Sequence, residues 1–253
     1  MKESELAALY RAARVGGDFF EFFQINDHRL VFVLLDIAGR REQALTIAAS
    51  VQENLRNITP KLFAASDLNE ADAVTELVHQ LNDLILSAAD GVRCAPGFVG
   101  CYNETLGLLS YINAGFVPAL VRDGDQITSL EAGGLPLGLF SHATHDAQMC
   151  VLGGGGALLL ASRGLIEVRA GSEEYGIERL KQAFQQARTT SAHDLCADIL
   201  RHVSEFVEQQ KRRRFLGLIG PQATVEGDSL GENDITTVAL VRFEQKSIAA
   251  NAR

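Results

Sequence analysis

The hydrophobic positions of this 253-residue chain change their spacing along the sequence. Residues 28–39, HRLVFVLLDIAG, form a continuous apolar run of strand length that closes with Asp36 and Gly39, which is typical of a strand covered on both faces. Apolar residues then recur at steps of three and four, as expected for helices with one buried face. This spacing predicts helices near 41–57 and 70–88.

The middle of the chain consists of short β-type runs separated by Gly, Asn and Asp, and Asp123-Gly124 between two such runs indicates a hairpin. Helical spacing returns later, and one more apolar run precedes the C-terminal segment. The whole pattern predicts an α+β fold in which helices pack on the outer faces of two stacked antiparallel β-sheets, an α-β-β-α sandwich. The predicted strands are 30–36, 96–102, 107–113, 117–122, 126–130, 157–162 and 235–243, and the later helices are 174–187 and 192–210. Residues 211–233, rich in Gly and charged residues, are predicted to form a long loop.

No internal repeat and no linker divides the chain. We therefore expect a single domain over residues 1–245, followed by a flexible C-terminal tail over residues 246–253. The sequence leaves open whether two copies form a homodimer.

Composition and charge narrow the classes of partner. The formal net charge is −9 and the pI is near 5.2, which argues against a nucleic-acid backbone or an anionic membrane as the main partner. No apolar stretch is long enough to span a membrane, the N-terminus lacks the apolar core of a signal peptide, and the four cysteines have no CxxC spacing. These features predict a cytoplasmic protein.

Five stretches share an order with one enzyme family: ARVGGDFFEFF (13–23), VLLDIAGRREQALTIAASVQENLR (33–56), YINAGFVPALVRDGDQITSLEAGGLPLGLF (111–140), LLLASRGLIEVRAGSEEYGIERL (158–180) and ENDITTVALVRF (232–243). They resemble the metal-dependent PPM-type serine/threonine phosphatases of the protein phosphatase 2C superfamily, in the bacterial branch typified by sporulation stage II protein E. Each match alone is weak, and their order makes the set specific.

The resemblance implies a manganese or magnesium pair at one end of the sandwich, whose bound water attacks phosphoserine or phosphothreonine. Carboxylates are needed there because hard dications prefer charged oxygen ligands. By this resemblance Asp18 and Asp36 are catalytic metal ligands, and Ile37 offers its backbone carbonyl to the metal. An alternative reading of Asp18 is a turn residue after two glycines. Asp36 looks functional even without the family, since a carboxylate that ends an apolar strand is costly to bury alone.

Two ligand positions are replaced. Arg163 occupies the place of a metal-binding aspartate in the family's Thr-Asp-Gly turn, and Asn233 occupies another in the closing motif. A dication and a monocation ~5 Å apart repel by roughly 6–7 kcal/mol at an effective dielectric of about 20. We therefore predict that the chain binds no manganese pair at micromolar concentration. Rescue by a nearby carboxylate, from Glu232, Asp234 or Glu167, would need local rearrangement.

Arg163 itself has two interpretations. It can be an internal cation that stands in for a metal ion and pairs with Asp36 or Asp18, or it can point from a surface turn into solvent. Two other candidates carry less weight. His142 and His145 are interpreted as solvent-facing loop residues, and Ser162 lacks the elbow motif of a hydrolase nucleophile.

Three functions follow from this reading. The first is a protein serine/threonine phosphatase domain that is weak or inactive, acting on a phosphorylated regulatory protein such as an anti-sigma-factor antagonist. The second is a pseudophosphatase that serves as a phosphoprotein-binding or signalling module. The third is an unrelated sandwich-like enzyme. The arginine at position 163 favours binding over catalysis, and the partner class rests on analogy with the family.

Overall fold

The computed structural model describes residues 1–13, 17–39, 41–88, 94–187, 189, 191–215 and 233–244, with side chains described up to residue 209 in the last helix. The predicted tail over 246–253 and the preceding residue 245 lie outside this described part, as do residues 216–232 of the predicted long loop. None of the helices in the described ranges is long and apolar enough to cross a membrane.

Two antiparallel five-stranded sheets form the centre of the fold. The first sheet has the order β1-β12-β9-β6-β7, with β1 at Ser4–Arg11, β6 at Ala119–Asp123, β7 at Gln126–Leu130, β9 at Ala157–Ala161 and β12 at Ile235–Arg242. The second sheet has the order β2-β3-β4-β5-β8, with β2 at Asp18–Gln24, β3 at Arg29–Asp36, β4 at Gly97–Asn103, β5 at Leu108–Ala114 and β8 at Gln148–Val151.

Helices cover the outer faces of both sheets. On the second sheet lie α1 at Arg41–Leu62 and α2 at Glu70–Ser87, and on the first lie α4 at Gly176–Gln186 and α5 at Ala192–Phe215. A short helix, α3 at Arg163–Ile166, follows β9, and a small hairpin of β10 (Arg169–Ala170) and β11 (Glu173–Glu174) precedes α4. The predicted α+β architecture is confirmed.

Strand β3 shows why the central runs are continuously apolar. Its residues alternate between two buried layers. Val33 and its odd-numbered neighbours face the helices, and Phe32 and its even-numbered neighbours face the opposite sheet. Both faces are thus removed from water, as the unbroken run predicts. The final residue, Asp36, is the polar exception and lies where the strand leaves the core.

Helix α2 illustrates how local sequence sets an element's start. Asn69 is its N-cap, and the Asn69 side-chain oxygen accepts hydrogen bonds from the backbone N–H groups of Ala71 and Asp72. The buried stripe of the helix, which includes Leu77 and Leu81, packs on the second sheet.

Several elements differ from the predictions. No strand was predicted at β1, β2, β8 or the short hairpin of β10 and β11. Residues 211–215 were expected in a loop, yet they continue α5. Arg163 was expected in a loop after the strand, yet it is the first residue of α3, with Ser162 as the N-cap residue. Strand β1 is rich in Ala and Leu, which are good helix formers, and pairing with β12 along eight residues overrides that propensity.

Candidate active site

A cavity of about 150 Å³ lies at one end of the sandwich, where strand ends from both sheets meet residues 37–39, which follow β3. Its polar lining comes from Asp18 at the start of β2, Asp36 at the end of β3, Arg163 at the start of α3, and Asn233 and Asp234 just before β12. The remaining lining, which includes residues 37–39 of the chain after β3, is largely backbone and small side chains. Four segments distant in the sequence therefore converge on one cavity.

The register of two strands brings the two predicted catalytic carboxylates together. Asp18 and Asp36 are directly opposed partners of the antiparallel β2–β3 ladder. The backbone N–H of Ile37 donates to the carbonyl oxygen of Gly17 at 2.8 Å, so the ladder continues past the end of β3. Directly opposed residues lie within about 4.5–5.5 Å at their Cβ atoms, which places both carboxyl groups at the same cavity.

The surroundings of Asp18 favour its protonated form. Burial raises the pKa of the Asp18 carboxyl to about 7, although hydrogen bonds from Ser162 and Thr236 act in the opposite direction. Thr236 Oγ donates to Asp18 Oδ2 at 2.7 Å. The neighbouring Asp36 also disfavours ionisation of Asp18. At neutral pH the Asp18 carboxyl is therefore partly protonated, which reduces the negative charge of the aspartate pair.

Arg163 lies beside Asp36. Its Nε is 3.2 Å from Asp36 Oδ2 and 3.9 Å from Glu167 Oε1, one turn along α3. The pKa of Asp36 is above its ordinary value, because burial raises it more than the nearby guanidinium lowers it. The Asp36 side chain is 15% exposed and that of Arg163 is 56% exposed, so the pair is buried at the carboxylate and open to water at the guanidinium. The structure thus combines features of both interpretations of Arg163, a contact with Asp36 and a solvent-facing side chain.

The carboxylate next to the second replaced position, Asp234, also lines the cavity, but its oxygens are already engaged by other residues. Asn233 lines the cavity, and the adjacent Asp234 is 4% exposed with both carboxylate oxygens engaged. Tyr10 Oη donates to Asp234 Oδ2 at 2.8 Å, and the backbone N–H of Ala13 donates to Asp234 Oδ1 at 2.8 Å. Asp234 therefore holds the end of β1, while Glu232 lies outside the described residues.

Two glycines let the cavity walls approach closely. A Cβ on Gly164 would collide with the backbone carbonyl oxygen of Asp234, and a Cβ on Gly17 would collide with that of Ile37. Only glycine fits at these positions without backbone movement. The glycine that follows Arg163 therefore allows the start of α3 to pack closely against the backbone just before β12.

Some residues of the site were missed by sequence reasoning. Tyr10 has no motif that indicates its bond to Asp234, since the contact depends on pairing between β1 and β12. Thr236 and Ser162 support Asp18, and the threonine of the closing motif was the signal that could have indicated such a role. Ser162 is fully buried.

The interpretation of His145 as solvent-facing is wrong. His145 is 2% exposed, and its Nε2 lies 2.8 Å from the carbonyl oxygen of Leu135, so it fixes the loop before β8. His142 is exposed, with its ring centroid 5.7 Å from that of Phe140. Within the described ranges, no group of three or more His, Cys, Asp or Glu side chains is arranged to hold a metal ion.

Two facing antiparallel sheets with outer helices, and acidic strand ends at one edge, define the fold of the protein phosphatase 2C class. The fold is similar to that of the RsbU and RsbW domains of a Mycobacterium tuberculosis protein, with a TM-score of 0.69 and 23% identity over 96% of this chain and 62% of that one. It is also similar to the PP2C phosphatase domain of SpoIIE from Bacillus subtilis, with a TM-score of 0.68 and 17% identity over 94% of this chain and 63% of that one.

The chain belongs to the stage II sporulation protein E (SpoIIE) family, whose model matches residues 26–213. It is 22% identical to protein IcfG of Synechocystis sp. over 232 residues, which are 82% of this chain and 37% of that protein. It is 24% identical to the phosphoserine phosphatase RsbP of Bacillus subtilis over 169 residues, which are 66% of this chain and 40% of that protein. The chain thus spans well under half the length of these relatives, and the resemblance drawn from its motifs is confirmed as a PPM-type, SpoIIE-like phosphatase domain.

Proposed function

We propose that this domain recognises a phosphorylated regulatory protein and hydrolyses it weakly or not at all, because an arginine takes the place of one metal ion. The observation that carries the proposal is the ion pair between Arg163 Nε and Asp36 Oδ2 at 3.2 Å. In the family the carboxylate at this strand end bridges two dications. Here its charge is met by a side chain of the protein itself.

The donor set does not fit a manganese or magnesium pair. Two adjacent dications need several carboxylates to offset their repulsion. Asp36 is paired with Arg163, Asn233 is neutral, and both oxygens of Asp234 accept hydrogen bonds from the end of β1. Only Asp18 remains, and its pKa of about 7 leaves it partly protonated at neutral pH. We therefore derive no hydrolytic step through a metal pair.

A second candidate is a phosphatase with a single ion held by Asp18, Asp36 and the carbonyl of Ile37. The register that opposes the two aspartates, together with their shared cavity, supports it. Arg163 would have to leave Asp36, and a half-exposed ion pair costs under about 1 kcal/mol to break. This function requires an ion to displace a guanidinium that is already in place.

The partner is proposed from the relatives. RsbP is a phosphoserine phosphatase, which supports phosphoserine on a protein as the group that the cavity receives. A phosphorylated anti-sigma-factor antagonist in the cytoplasm is the corresponding partner class. The net charge of −9 disfavours nucleic acid as an alternative partner.

The test compares hydrolysis with binding. The full chain is incubated with a phosphoserine peptide and manganese, and released phosphate is measured beside the SpoIIE phosphatase domain of Bacillus subtilis as a positive control. We expect peptide binding with phosphate release near the rate without protein. Release at a rate comparable with the control contradicts the proposal, and release that saturates at one manganese ion per chain supports the single-ion phosphatase.

A further inference from the structure

We infer that the free edge of the Arg163 guanidinium is a phosphate-binding group, so that the cavity takes a phosphomonoester anion without any metal. This inference rests on the proposed function and deepens it, because it names the residue that would recognise the ligand. It assigns Arg163 a role in binding in addition to its contact with Asp36.

The guanidinium has donors to spare. Its contacts with Asp36 and Glu167 both involve Nε, and its two terminal nitrogens donate no hydrogen bond to any residue in the described ranges. With 56% of the side chain exposed, these nitrogens are accessible from solvent. A guanidinium presents its donors in a planar fork that matches two oxygens of a phosphate.

Asp36 orients this fork. An arginine held at Nε by a carboxylate loses less side-chain entropy when the terminal nitrogens bind a second oxyanion, because part of its freedom is already lost. The positive charge of the guanidinium beside Asp36 also lowers the repulsion between that carboxylate and an anion. Asp36 thus holds the guanidinium in place while its terminal nitrogens stay accessible to an anion.

The cavity has the size and lining for a phosphate group. Its volume of about 150 Å³ is several times the roughly 30 Å³ that one water molecule occupies in the liquid. Gly17, Gly39 and Gly164 bring backbone to the wall without side chains that would fill the space. Asn233 lines the same cavity, and its amide forms no hydrogen bond with any described residue. That amide is a second uncommitted donor in the cavity lining.

The replacements change the charge in the direction that an anion needs. Aspartate to arginine at position 163 and aspartate to asparagine at position 233 together add three positive charges relative to the family pattern. The remaining acidic groups have partners of their own: Asp36 has Arg163, Asp18 has Thr236, and Asp234 has Tyr10 and Ala13. The terminal nitrogens of Arg163 are left for the ligand.

The experiment is a titration of the full chain, in the presence of EDTA, with inorganic phosphate and separately with O-phosphoserine, followed by NMR at constant ionic strength. Arg163→Gln is compared with Arg201→Gln, a matched control on α5 whose arginine is 55% exposed and also pairs with two carboxylates. We expect saturable shifts of the Arg163 side-chain and Gly164 backbone N–H signals in the unaltered chain. We also expect at least tenfold weaker binding in Arg163→Gln and unchanged binding in Arg201→Gln.

The inference is overturned if the unaltered chain shows no saturable shift at these signals, or if Arg163→Gln binds both ligands as tightly as Arg201→Gln does. The first criterion needs no variant, so a folding defect in Arg163→Gln cannot obscure the answer. EDTA separates this inference from the proposed function. A chain that binds a manganese pair and hydrolyses phosphoserine overturns the proposed function, whereas the EDTA titration reports on Arg163 alone.

Discussion

Arg163 Nε lies 3.2 Å from Asp36 Oδ2, at the point where the family places carboxylates around a metal pair. Asp36 ends β3 of one sheet, and Arg163 begins α3, two residues after β9 of the other sheet. The pair therefore links the sheets at the cavity, as a bound ion would. The free energy that this ion pair contributes to folding depends on burial, and Asp36 is much more buried than Arg163.

Removal of Arg163 should cost little stability. Since the guanidinium is 56% exposed, Arg163→Ala is expected to lower the free energy of unfolding by about 1 kcal/mol. A fully buried pair would cost about 3–5 kcal/mol. Urea unfolding of Arg163→Ala, Asp36→Asn and the double variant measures the coupling, which we expect near 0.5–1 kcal/mol. Additive effects would show that the contact has no energetic role.

The stability of the fold should fall as the pH rises through the range set by Asp18. The pKa of Asp18 is about 7 in the folded chain against an ordinary 3.8, so the folded state holds the proton more tightly than the unfolded state does. The stabilisation from this proton is complete below about pH 4 and is lost as the pH rises to about 7. The full shift corresponds to at most about 4 kcal/mol.

Asp18→Asn should remove this dependence. The amide keeps an acceptor for Thr236 and carries no charge to desolvate, so the variant should be more stable than the unaltered chain at pH 8 and should unfold with a flatter pH profile. Asp146→Asn, at an exposed loop carboxylate, is the matched control and should leave the profile unchanged. The urea midpoint of each variant is measured between pH 4 and 8. If the midpoint changes with pH equally in Asp18→Asn and Asp146→Asn, the role of Asp18 is refuted.

Gly164 should tolerate no side chain. A Cβ at this position meets the backbone carbonyl of Asp234, and a rigid backbone atom cannot move aside as a flexible side chain can. Gly164→Ala is expected to destabilise the fold by about 3 kcal/mol. Gly153→Ala, where the nearest atoms belong to the Asp123 side chain, should cost under about 1 kcal/mol. Thermal unfolding of both variants tests this, and similar melting temperatures would contradict the packing account.

The long apolar elements could be predicted from the sequence because their pattern reflects burial. Strand β3, covered on both faces, is continuously apolar, and α2 carries both a capping residue and a buried stripe. Strand β1 could not be predicted. Its Ala- and Leu-rich sequence favours a helix, and only pairing with β12, more than 200 residues away, makes it a strand.

The residues that form the site could be predicted from the sequence, but their arrangement in space could be predicted only in part. The motifs indicate Asp18, Asp36, Arg163 and Asn233, and all four line one cavity. The opposition of the two aspartates depends on strand register, and the exposure of Arg163 depends on how α3 leaves β9. Tyr10 has no sequence signal at all, because its bond to Asp234 arises from tertiary pairing.

Restoring the two replaced carboxylates should restore metal binding. Arg163→Asp combined with Asn233→Asp removes the cation beside Asp36 and returns acidic groups to both positions, so manganese should bind and some hydrolysis of a phosphoserine peptide should return. Arg201→Asp with Asn233→Asp is the control, since it makes the same change of charge away from Asp36. Equal manganese affinity in both double variants would mean that net charge, and not the site, determines binding.

The central claim is that Arg163 takes the place of a metal ion in a SpoIIE-family domain. Its most direct test is calorimetric titration of manganese into the unaltered full chain at pH 8, where Asp18 is largely ionised and the site has its best opportunity to bind a cation. We predict no heat from a two-ion site at micromolar manganese. Saturable binding of two manganese ions per chain at micromolar concentration, abolished by Asp36→Asn, would contradict the account.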